Sequence, residues 1–220
     1  MEITKSKIFE VFEDDKKRLY TVNLTPGKKV YDEKLIKCNG IEYRAWNPRK
    51  SKLAAMILKG CSNIFIRKND VVLYLGAASG TTVSHVSDIV SEGFVFALDF
   101  APRVVRELVF LAEERSNIAP ILADANKPAS YLDKVSQADI IYQDIAQRDQ
   151  LTIFLKNVKM FLKKDGYAIL AVKAKSIDIA RKSKGIFNEI RQKLESEMKI
   201  IDSKILEPYE LDHIMFICKP

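Results

Sequence analysis

The feature that most constrains the fold is an alternation of short apolar runs with longer amphipathic segments, which begins near residue 50 of this 220-residue chain. Segments 102–115 and 179–198 are examples of the amphipathic type. The apolar runs occupy residues 71–75, 93–98, 118–122, 139–143 and 167–172. Strands that alternate with helices predict a parallel sheet covered by helices on both faces. The expected fold class is α/β.

The end of the chain departs from this alternation. Runs 200–206 and 213–218 are joined by a loop too short for a crossover helix, so they should pair antiparallel at the sheet edge. The resulting seven-stranded, Rossmann-like sheet resembles that of S-adenosylmethionine-dependent methyltransferases.

The beginning of the chain is organised differently. Short alternating runs at 8–12, 19–22 and 41–46 are separated by turn residues and predict a small antiparallel sheet. We therefore expect a β-rich N-terminal subdomain, residues 1–50, and a methyltransferase domain, residues 51–220.

The first apolar run of the main domain ends in a small-residue turn, Gly76-Ala77-Ala78-Ser79-Gly80. Because glycine lacks a Cβ, Gly76 and Gly80 allow the backbone to approach a ligand closely, and the next helix begins at the same crevice. A nucleoside cofactor is the first hypothesis, and a plain strand-to-helix turn is the alternative. Ala78 and Thr81 stand where a dinucleotide fingerprint has glycines, which disfavours a pyrophosphate.

Polar side chains end the other parallel strands: Asp99, Asp124, Asp144 and Lys173. The carboxyl ends of parallel strands meet at one edge, where open α/β sheets bind ligands. Asp99 can accept hydrogen bonds from both ribose hydroxyls, and Asp124 can bind an adenine amino group. The alternative for each aspartate is an ordinary turn or helix cap.

Charge is distributed unevenly along the chain, whose net charge is +7. Residues 1–69 hold 16 basic and 8 acidic residues, residues 70–150 hold 6 and 12, and residues 151–220 hold 14 and 9. The acidic centre suits a cationic cofactor, and the basic flanks suit RNA or simply solvate the fold.

Apolar runs are too short for a membrane span, and the N-terminus lacks a signal-peptide core, so we expect no membrane association and an intracellular location. Cys38, Cys61 and Cys218 are widely spaced and form no CxxC pair, which predicts neither a metal site nor a disulfide framework.

Several longer motifs resemble the fibrillarin family. They comprise residues 73–88, 102–108, 143–147, 172–178 and 43–48. The resemblance covers essentially the whole chain, which lacks a Gly/Arg-rich N-terminal extension and so is similar to the archaeal form, with a cytoplasmic location. One departure is Asp99, where the family often has glutamate.

The resemblance implies an S-adenosylmethionine-dependent 2′-O-ribose methyltransferase of rRNA or tRNA. It also implies partners: a box C/D guide RNA, the target RNA, a Nop-domain scaffold protein and a kink-turn-binding ribosomal-type protein. The sequence itself contains no RNA-recognition motif, KH motif or zinc knuckle that would read bases.

The resemblance also assigns site residues. The cofactor set is Gly76, Ala78, Gly80, Thr81, Thr82, Asp99, Phe100, Asp124, Ala125, Asp144, Ile145, Ala146 and Gln147. The catalytic set is Lys52, Asp144, Lys173 and His213. From the residues themselves, and not from the resemblance, Arg44, Asn47 and Arg49 are candidates for RNA contacts. Trp46 could line the same path, but it is expected to anchor the subdomain, and His85 is expected to be structural.

Within the catalytic set, Lys173 is the candidate that acts on the ribose hydroxyl, which is a poor nucleophile until its proton is taken or steered. Lys173 either accepts the proton, with Lys52 lowering its pKa, or stays charged and stabilises the alkoxide. Asp144 is expected to orient Lys173. The alternatives are a solvated or phosphate-binding Lys52 and a structural His213 bonded to a neighbouring carboxylate.

Two other functions are compatible with these residues. One is a protein glutamine methyltransferase, and the other is a non-catalytic subunit whose cofactor pocket stabilises an assembly. Assays of RNA against protein acceptors distinguish the first from RNA methylation. The presence of Gly76, Asp99, Asp124, Asp144 and Lys173 argues against the second.

Overall fold

The computed structural model describes residues 2–220, which form two β-sheets. The strands of the first sheet are β1 Ile3–Lys5, β2 Phe12–Asp14, β3 Leu19–Val22, β4 Leu35–Cys38 and β5 Ile41–Trp46. They are antiparallel throughout, in the order β1-β2-β3-β5-β4. The predicted N-terminal antiparallel sheet is confirmed.

The strand expected at residues 8–12 is wrong. Most of this run lies in a turn, and only Phe12 belongs to a strand. Glu10, in the turn, has a φ of 53°. Ile8 and Val11 are buried in the core of the main domain. The apolar residues of this run therefore anchor a turn to the core instead of pairing with another strand.

The second sheet contains seven strands. They are β6 Val71–Leu75, β7 Phe94–Asp99, β8 Ile118–Leu122, β9 Ala138–Gln143, β10 Leu162–Lys173, β11 Lys199–Ile205 and β12 His213–Lys219. The order is β11-β12-β10-β9-β6-β7-β8. Strands β6 to β10 run parallel, whereas β12 is antiparallel to β10 and β11 is antiparallel to β12. The predicted parallel sheet and edge hairpin are confirmed.

Helices connect the strands of this sheet. They are α1 Lys52–Leu58, α2 Thr81–Ile89, α3 Pro102–Glu114, α4 Gln150–Phe161, α5 Ala174–Ile177 and α6 Ser183–Glu195, with a 3-10 turn at Pro128–Tyr131. The helix expected over 179–198 is shorter because residues 178–182 form a loop fixed by side-chain hydrogen bonds. None of the helices in residues 2–220 combines the length and apolar character that crossing a membrane requires.

Alternate residues of β6 show how the two covering layers form. Val72 and Tyr74 pack in a cluster with residues of α2 and α3, and Leu73 and Leu75 pack in a second cluster with residues of α4 and α6. This alternation is the period of two expected of a strand buried on both faces.

The first sheet shares the core of the second. Leu19 and Trp46, from β3 and β5, belong to the same buried cluster as Val72 of β6. The antiparallel sheet ends at Trp46 and α1 begins at Lys52, while the buried core continues across this boundary.

Candidate active site

The turn after β6 is pressed against the end of β9. Gly76 has a φ of 80°, and the N–H groups of Gly76 and Ala77 donate to the Leu98 carbonyl at 2.9 and 3.0 Å. A Cβ at Gly76 would lie 2.3 Å from the Asp144 carbonyl oxygen. Only glycine fits here, because both the backbone angle and the neighbouring chain exclude a side chain.

Asp99 is already bonded to this turn. Its Oδ2 accepts the Ala78 N–H at 3.0 Å, and its Oδ1 accepts the Ala101 N–H at 3.1 Å. Asp124 is held in a similar way, since its Oδ1 accepts the Asn126 N–H at 2.9 Å. Both carboxylates are therefore fixed in position at adjacent strand ends.

A cavity of about 280 Å³ opens beside these carboxylates. Its lining includes ten residues of the predicted cofactor set: Gly76, Ala78, Asp99, Phe100, Asp124, Ala125, Asp144, Ile145, Ala146 and Gln147. Three acidic residues at strand ends line the cavity, together with Gln147 and otherwise apolar residues and glycine. Such a site suits a small cationic ligand with a nucleoside part.

The structure does not place Gly80, Thr81 and Thr82 in that lining. Gly80 precedes α2 with a φ of 92°, and a Cβ there would meet Leu111 of α3 at 2.4 Å. Thr82 is buried and donates to Ser51 Oγ at 3.1 Å. Gly80 and Thr82 fix the start of α2 against α3 and α1. Their contact with a cofactor stays a prediction.

Leu98, Ala123 and Ile153 also line the cavity, although they were not predicted. Leu98 and Ala123 directly precede Asp99 and Asp124, so their positions at strand ends could have indicated them. Ile153 lies in α4, and no local pattern singles it out.

Lys52 and Asp144 form an ion pair beside the cavity. Lys52 follows Ser51, which caps α1, and its Nζ lies 2.8 Å from Asp144 Oδ2. Burial alone would lower the pKa of Lys52, but the Asp144 carboxylate outweighs it and raises that pKa. Lys52 is therefore a cation at neutral pH.

The expectation that Asp144 orients Lys173 is wrong. The Asp144 side chain pairs with Lys52, and no hydrogen bond joins it to Lys173 Nζ among residues 2–220. Lys173 ends β10 with its backbone N–H and carbonyl bonded to the side chain of Gln150, at 3.1 and 3.2 Å. Its side chain is exposed. The main chain of Lys173 is therefore fixed at the end of β10, while its side chain has no hydrogen-bond or ion-pair partner within residues 2–220.

His213 lies opposite Lys173 in the β10–β12 ladder. Its Nδ1 is 2.6 Å from the Leu211 carbonyl oxygen, which can only accept, so Nδ1 carries the hydrogen. Burial and the positive charge of Lys52 lower the pKa of His213. The ring is neutral at pH 7 and leaves Nε2 as an acceptor.

The three candidates for RNA contacts separate into two groups. Asn47 and Arg49 are exposed in the turn that leads to α1, where Asn47 Oδ1 accepts the Arg49 N–H at 2.9 Å. Arg44 is a correction, because it is fully buried and bonded to Glu33 at 2.7 Å and Asp88 at 2.8 Å. A side chain enclosed by two carboxylates has no surface to offer RNA.

His85 and Trp46 take the structural roles expected of them. Trp46 stacks on the His85 ring with centroids 4.9 Å apart. The His85 nitrogens bond Thr21 at 2.8 Å and Tyr31 at 2.6 Å. These contacts join the first sheet to α2, directly behind the glycine turn.

Taken together, the mixed sheet with its reversed edge hairpin and the acid-lined cavity at its strand ends define an S-adenosylmethionine-dependent methyltransferase fold. Comparison with known proteins narrows this class. The family model described as Fibrillarin matches residues 2–220. The chain belongs to the fibrillarin family.

The chain aligns with relatives over nearly the full length of both sequences. The chain is 50% identical, over 220 residues and 96% of each sequence, to a protein of Methanocaldococcus jannaschii named fibrillarin-like rRNA/tRNA 2′-O-methyltransferase. It matches Aeropyrum pernix fibrillarin, solved with natively bound S-adenosyl-L-methionine, at 38% identity and a TM-score of 0.91, covering 99% of this chain and 98% of that one. It also matches a chain of a fibrillarin/Nop5p complex at 41% identity and a TM-score of 0.90, covering 98% and 99%.

Proposed function

We propose that this chain transfers the methyl group of S-adenosylmethionine to a ribose 2′-hydroxyl of rRNA or tRNA, as the catalytic subunit of a box C/D ribonucleoprotein. The observation that carries the proposal is that Asp144, which lines the acid-lined cavity, pairs with Lys52, while Lys173 and His213 lie opposite each other at the ends of β10 and β12 on the same edge of the sheet. The names of full-length relatives support the same activity.

The residues of the cavity fit the cofactor. Asp99 would bind the ribose hydroxyls, Asp124 the adenine amino group, and the backbone of residues 144–147 the methionine end. The carboxylates are fixed by backbone N–H groups and keep further lone pairs for a ligand. The cofactor supplies an electrophilic methyl group on a sulfonium, whose positive charge suits three acidic strand ends.

The chemistry required of the protein is to make the 2′-hydroxyl reactive and to align it. Lys173 addresses the 2′-oxygen, either by removing its proton or by stabilising the alkoxide. Lys52 stays charged on Asp144 and adds positive potential at the same edge. The free Nε2 of His213 can accept a hydrogen bond from the hydroxyl and so fix its direction.

Specificity would come from the assembly. A relative of known structure forms a complex with Nop5p, which supports a Nop-domain scaffold for this chain. A guide RNA and a kink-turn-binding protein would complete the particle and select the target nucleotide. The exposed Asn47 and Arg49 lie in the turn before Lys52, where the target strand would approach.

The experiment reconstitutes the chain with scaffold, kink-turn protein and guide RNA, and supplies two target RNAs. One is all-ribose, and the other has a single 2′-deoxy substitution at the guided nucleotide. We expect methyl transfer to the first and none above background to the second.

Three outcomes would refute this proposal in different ways. Equal transfer to both RNAs would refute 2′-oxygen as the acceptor. Transfer to protein glutamine instead of RNA would favour a protein methyltransferase. Cofactor binding without any transfer would favour a structural subunit.

A further inference from the structure

A strongly basic segment begins at Lys173, the residue proposed to act on the 2′-hydroxyl. Residues 173–184, called here the basic segment, contain five cationic residues and one acidic residue, Asp178. The segment begins at the end of β10, passes through α5 and ends in the first turn of α6.

Both ends of the basic segment are tied to the residue that precedes His213. The Ala174 N–H donates to the Asp212 carbonyl at 3.0 Å. The Ser183 hydroxyl donates to the Asp212 carboxylate. The segment is therefore held next to His213, at the edge of the sheet where β10 ends and β12 begins.

Two cations of the basic segment, Lys175 and Arg181, stabilise the loop itself. Lys175 Nζ donates to the carbonyls of Ile179 and Arg181 at 3.0 and 3.1 Å. Asp178 accepts the N–H groups of Ala180 and Arg181 at 2.8 and 3.3 Å, and Arg181 pairs with Glu189 at 2.9 Å. These bonds close the loop around its own backbone and hold its tip in place.

The other exposed side chains of the basic segment do not stabilise the loop. Lys182 and Lys184 are exposed and make no side-chain hydrogen bond or ion pair within residues 2–220. The carbonyl of Ile179 accepts the Lys175 bond, but its side chain is 79% exposed. No other large apolar side chain in the described part of the chain is as exposed. The hydrogen-bonded loop thus presents one exposed apolar side chain and two cations without partners. Lys182 and Lys184 flank Ser183, which is bonded to the same Asp212 as Ala174, the neighbour of Lys173.

We propose that the basic segment binds the sugar–phosphate backbone of the acceptor RNA strand next to the nucleotide whose ribose reaches Lys173. Lys182 and Lys184 bind phosphates, and Ile179 packs against a neighbouring ribose or base. The inference rests on the proposed function. RNA is favoured as the occupant because every ribose is flanked by phosphates, so a strand that places its 2′-hydroxyl at Lys173 carries negative charge along this segment.

The test uses the reconstituted particle and a double charge reversal, Lys182→Glu with Lys184→Glu. We expect the KM for target RNA to rise by about tenfold or more, with kcat at saturating RNA and S-adenosylmethionine affinity unchanged. Loss of two phosphate contacts should also reduce the slope of log affinity against log salt by about 1.4 for a single strand. Ile179→Ala should raise the same KM by a smaller factor.

The matched control is Lys164→Glu with Lys199→Glu. Both lysines are exposed at the opposite end of the sheet, near the starts of β10 and β11. This variant should leave the KM for RNA unchanged. Equal effects of the two double variants would mean that only overall charge matters and would overturn the proposal.

Other outcomes separate this inference from the function on which it rests. An unchanged RNA KM in the Lys182→Glu, Lys184→Glu particle, with a wild-type particle that methylates RNA, refutes the basic segment alone. Failure of that variant to bind the scaffold protein identifies the segment as a protein-docking surface and also overturns it. A wild-type particle that methylates no RNA refutes the proposed function itself.

Discussion

The cofactor side and the acceptor side of the catalytic edge are built in opposite ways. On the cofactor side, the Ala78 N–H donates to the Asp99 carboxylate, and the Gly76 N–H donates to the Leu98 carbonyl of the adjacent strand. On the acceptor side, Lys173 and Lys182 are exposed, and their amines have no hydrogen-bond or ion-pair partner in residues 2–220. One side is complete before any ligand arrives, whereas the other offers unpaired charge.

This difference follows from the size of the two ligands. A small cofactor is bound by the protein alone. The carboxylates of the protein that bind it are fixed in advance by backbone N–H groups, which reduces the entropy lost on binding. An RNA strand held by a larger assembly needs positive potential and a few contacts that form as it docks. The comparison predicts that the two sides respond differently to substitution.

The largest effect is expected at Lys173. Lys173→Ala should lower kcat by about 10²–10⁴-fold while S-adenosylmethionine affinity is unchanged, because the amine acts on the hydroxyl. Lys164→Ala, at the other end of β10, is the control and should be silent. Methyl transfer assays and cofactor titration measure both quantities, and near wild-type kcat in Lys173→Ala would contradict the assignment.

Lys173→Arg then distinguishes the two roles left open for the amine. A guanidinium does not lose its proton in proteins, so an arginine retains positive charge without acting as a base. A loss as deep as that of alanine identifies a general base, and substantial retained activity identifies electrostatic stabilisation.

Substitutions of Arg44 and Arg49 distinguish a basic residue that stabilises the fold from one that is exposed and available to RNA. Arg44→Met should lower the free energy of unfolding by about 3–5 kcal/mol, because it leaves Glu33 unpaired and Asp88 with one arginine fewer. Arg49→Ala should change stability by less than about 0.5 kcal/mol. Urea unfolding measures both, and a stable Arg44→Met protein that had lost RNA affinity would reverse our interpretation.

Gly76 tests the rigidity of the cofactor side. Gly76→Ala should weaken S-adenosylmethionine binding by at least about tenfold, which corresponds to 1.4 kcal/mol. A left-handed alanine costs about 1–2 kcal/mol, and its Cβ would displace the Asp144 backbone. Gly40→Ala is the matched control, with a φ of 78° but no atom within 4 Å of its Cβ. It should carry the backbone cost alone, and equal loss of cofactor affinity in both variants would argue against a close-packed turn.

The smallest effect concerns pH. Burial, together with Arg44 and Arg115, lowers the pKa of His85 well below its ordinary value, and burial with Lys52 lowers that of His213. Protons then bind the unfolded chain more readily than the folded one. Stability should be complete above the unfolded pKa of about 6.5 and fall as the pH drops toward the folded values, by at most about 1.4 kcal/mol per pH unit for each histidine.

Urea unfolding at several pH values checks this expectation. His85→Gln should flatten the slope between neutral and acidic pH, because the residue whose pKa is held low is gone. A slope unaffected by the substitution would show that other groups control the acid response.

The sequence predicted the cofactor side better than the acceptor side for a physical reason. Strand period, the glycine turn and carboxylates at strand ends are local patterns, and the parallel topology then brings them to one edge. Asp99 and Asp124 could be placed in this way.

Partner choice is not local and was therefore missed. Whether Asp144 pairs with Lys52 or Lys173 depends on the angle between α1 and the sheet, and nothing near Arg44 in sequence reveals Asp88. Similarly, the apolar run with Ile8 and Val11 has the composition of a strand, yet tertiary packing makes it a buried turn.

The most direct test of the division between the two sides is cofactor titration of the isolated chain carrying Lys173→Ala, Lys182→Glu and Lys184→Glu together. Our account predicts S-adenosylmethionine affinity equal to that of the unmodified chain, whereas Asp99→Ala loses it. A triple variant that loses cofactor affinity as Asp99→Ala does would contradict the account, because the acceptor-side charges would then be part of the cofactor site.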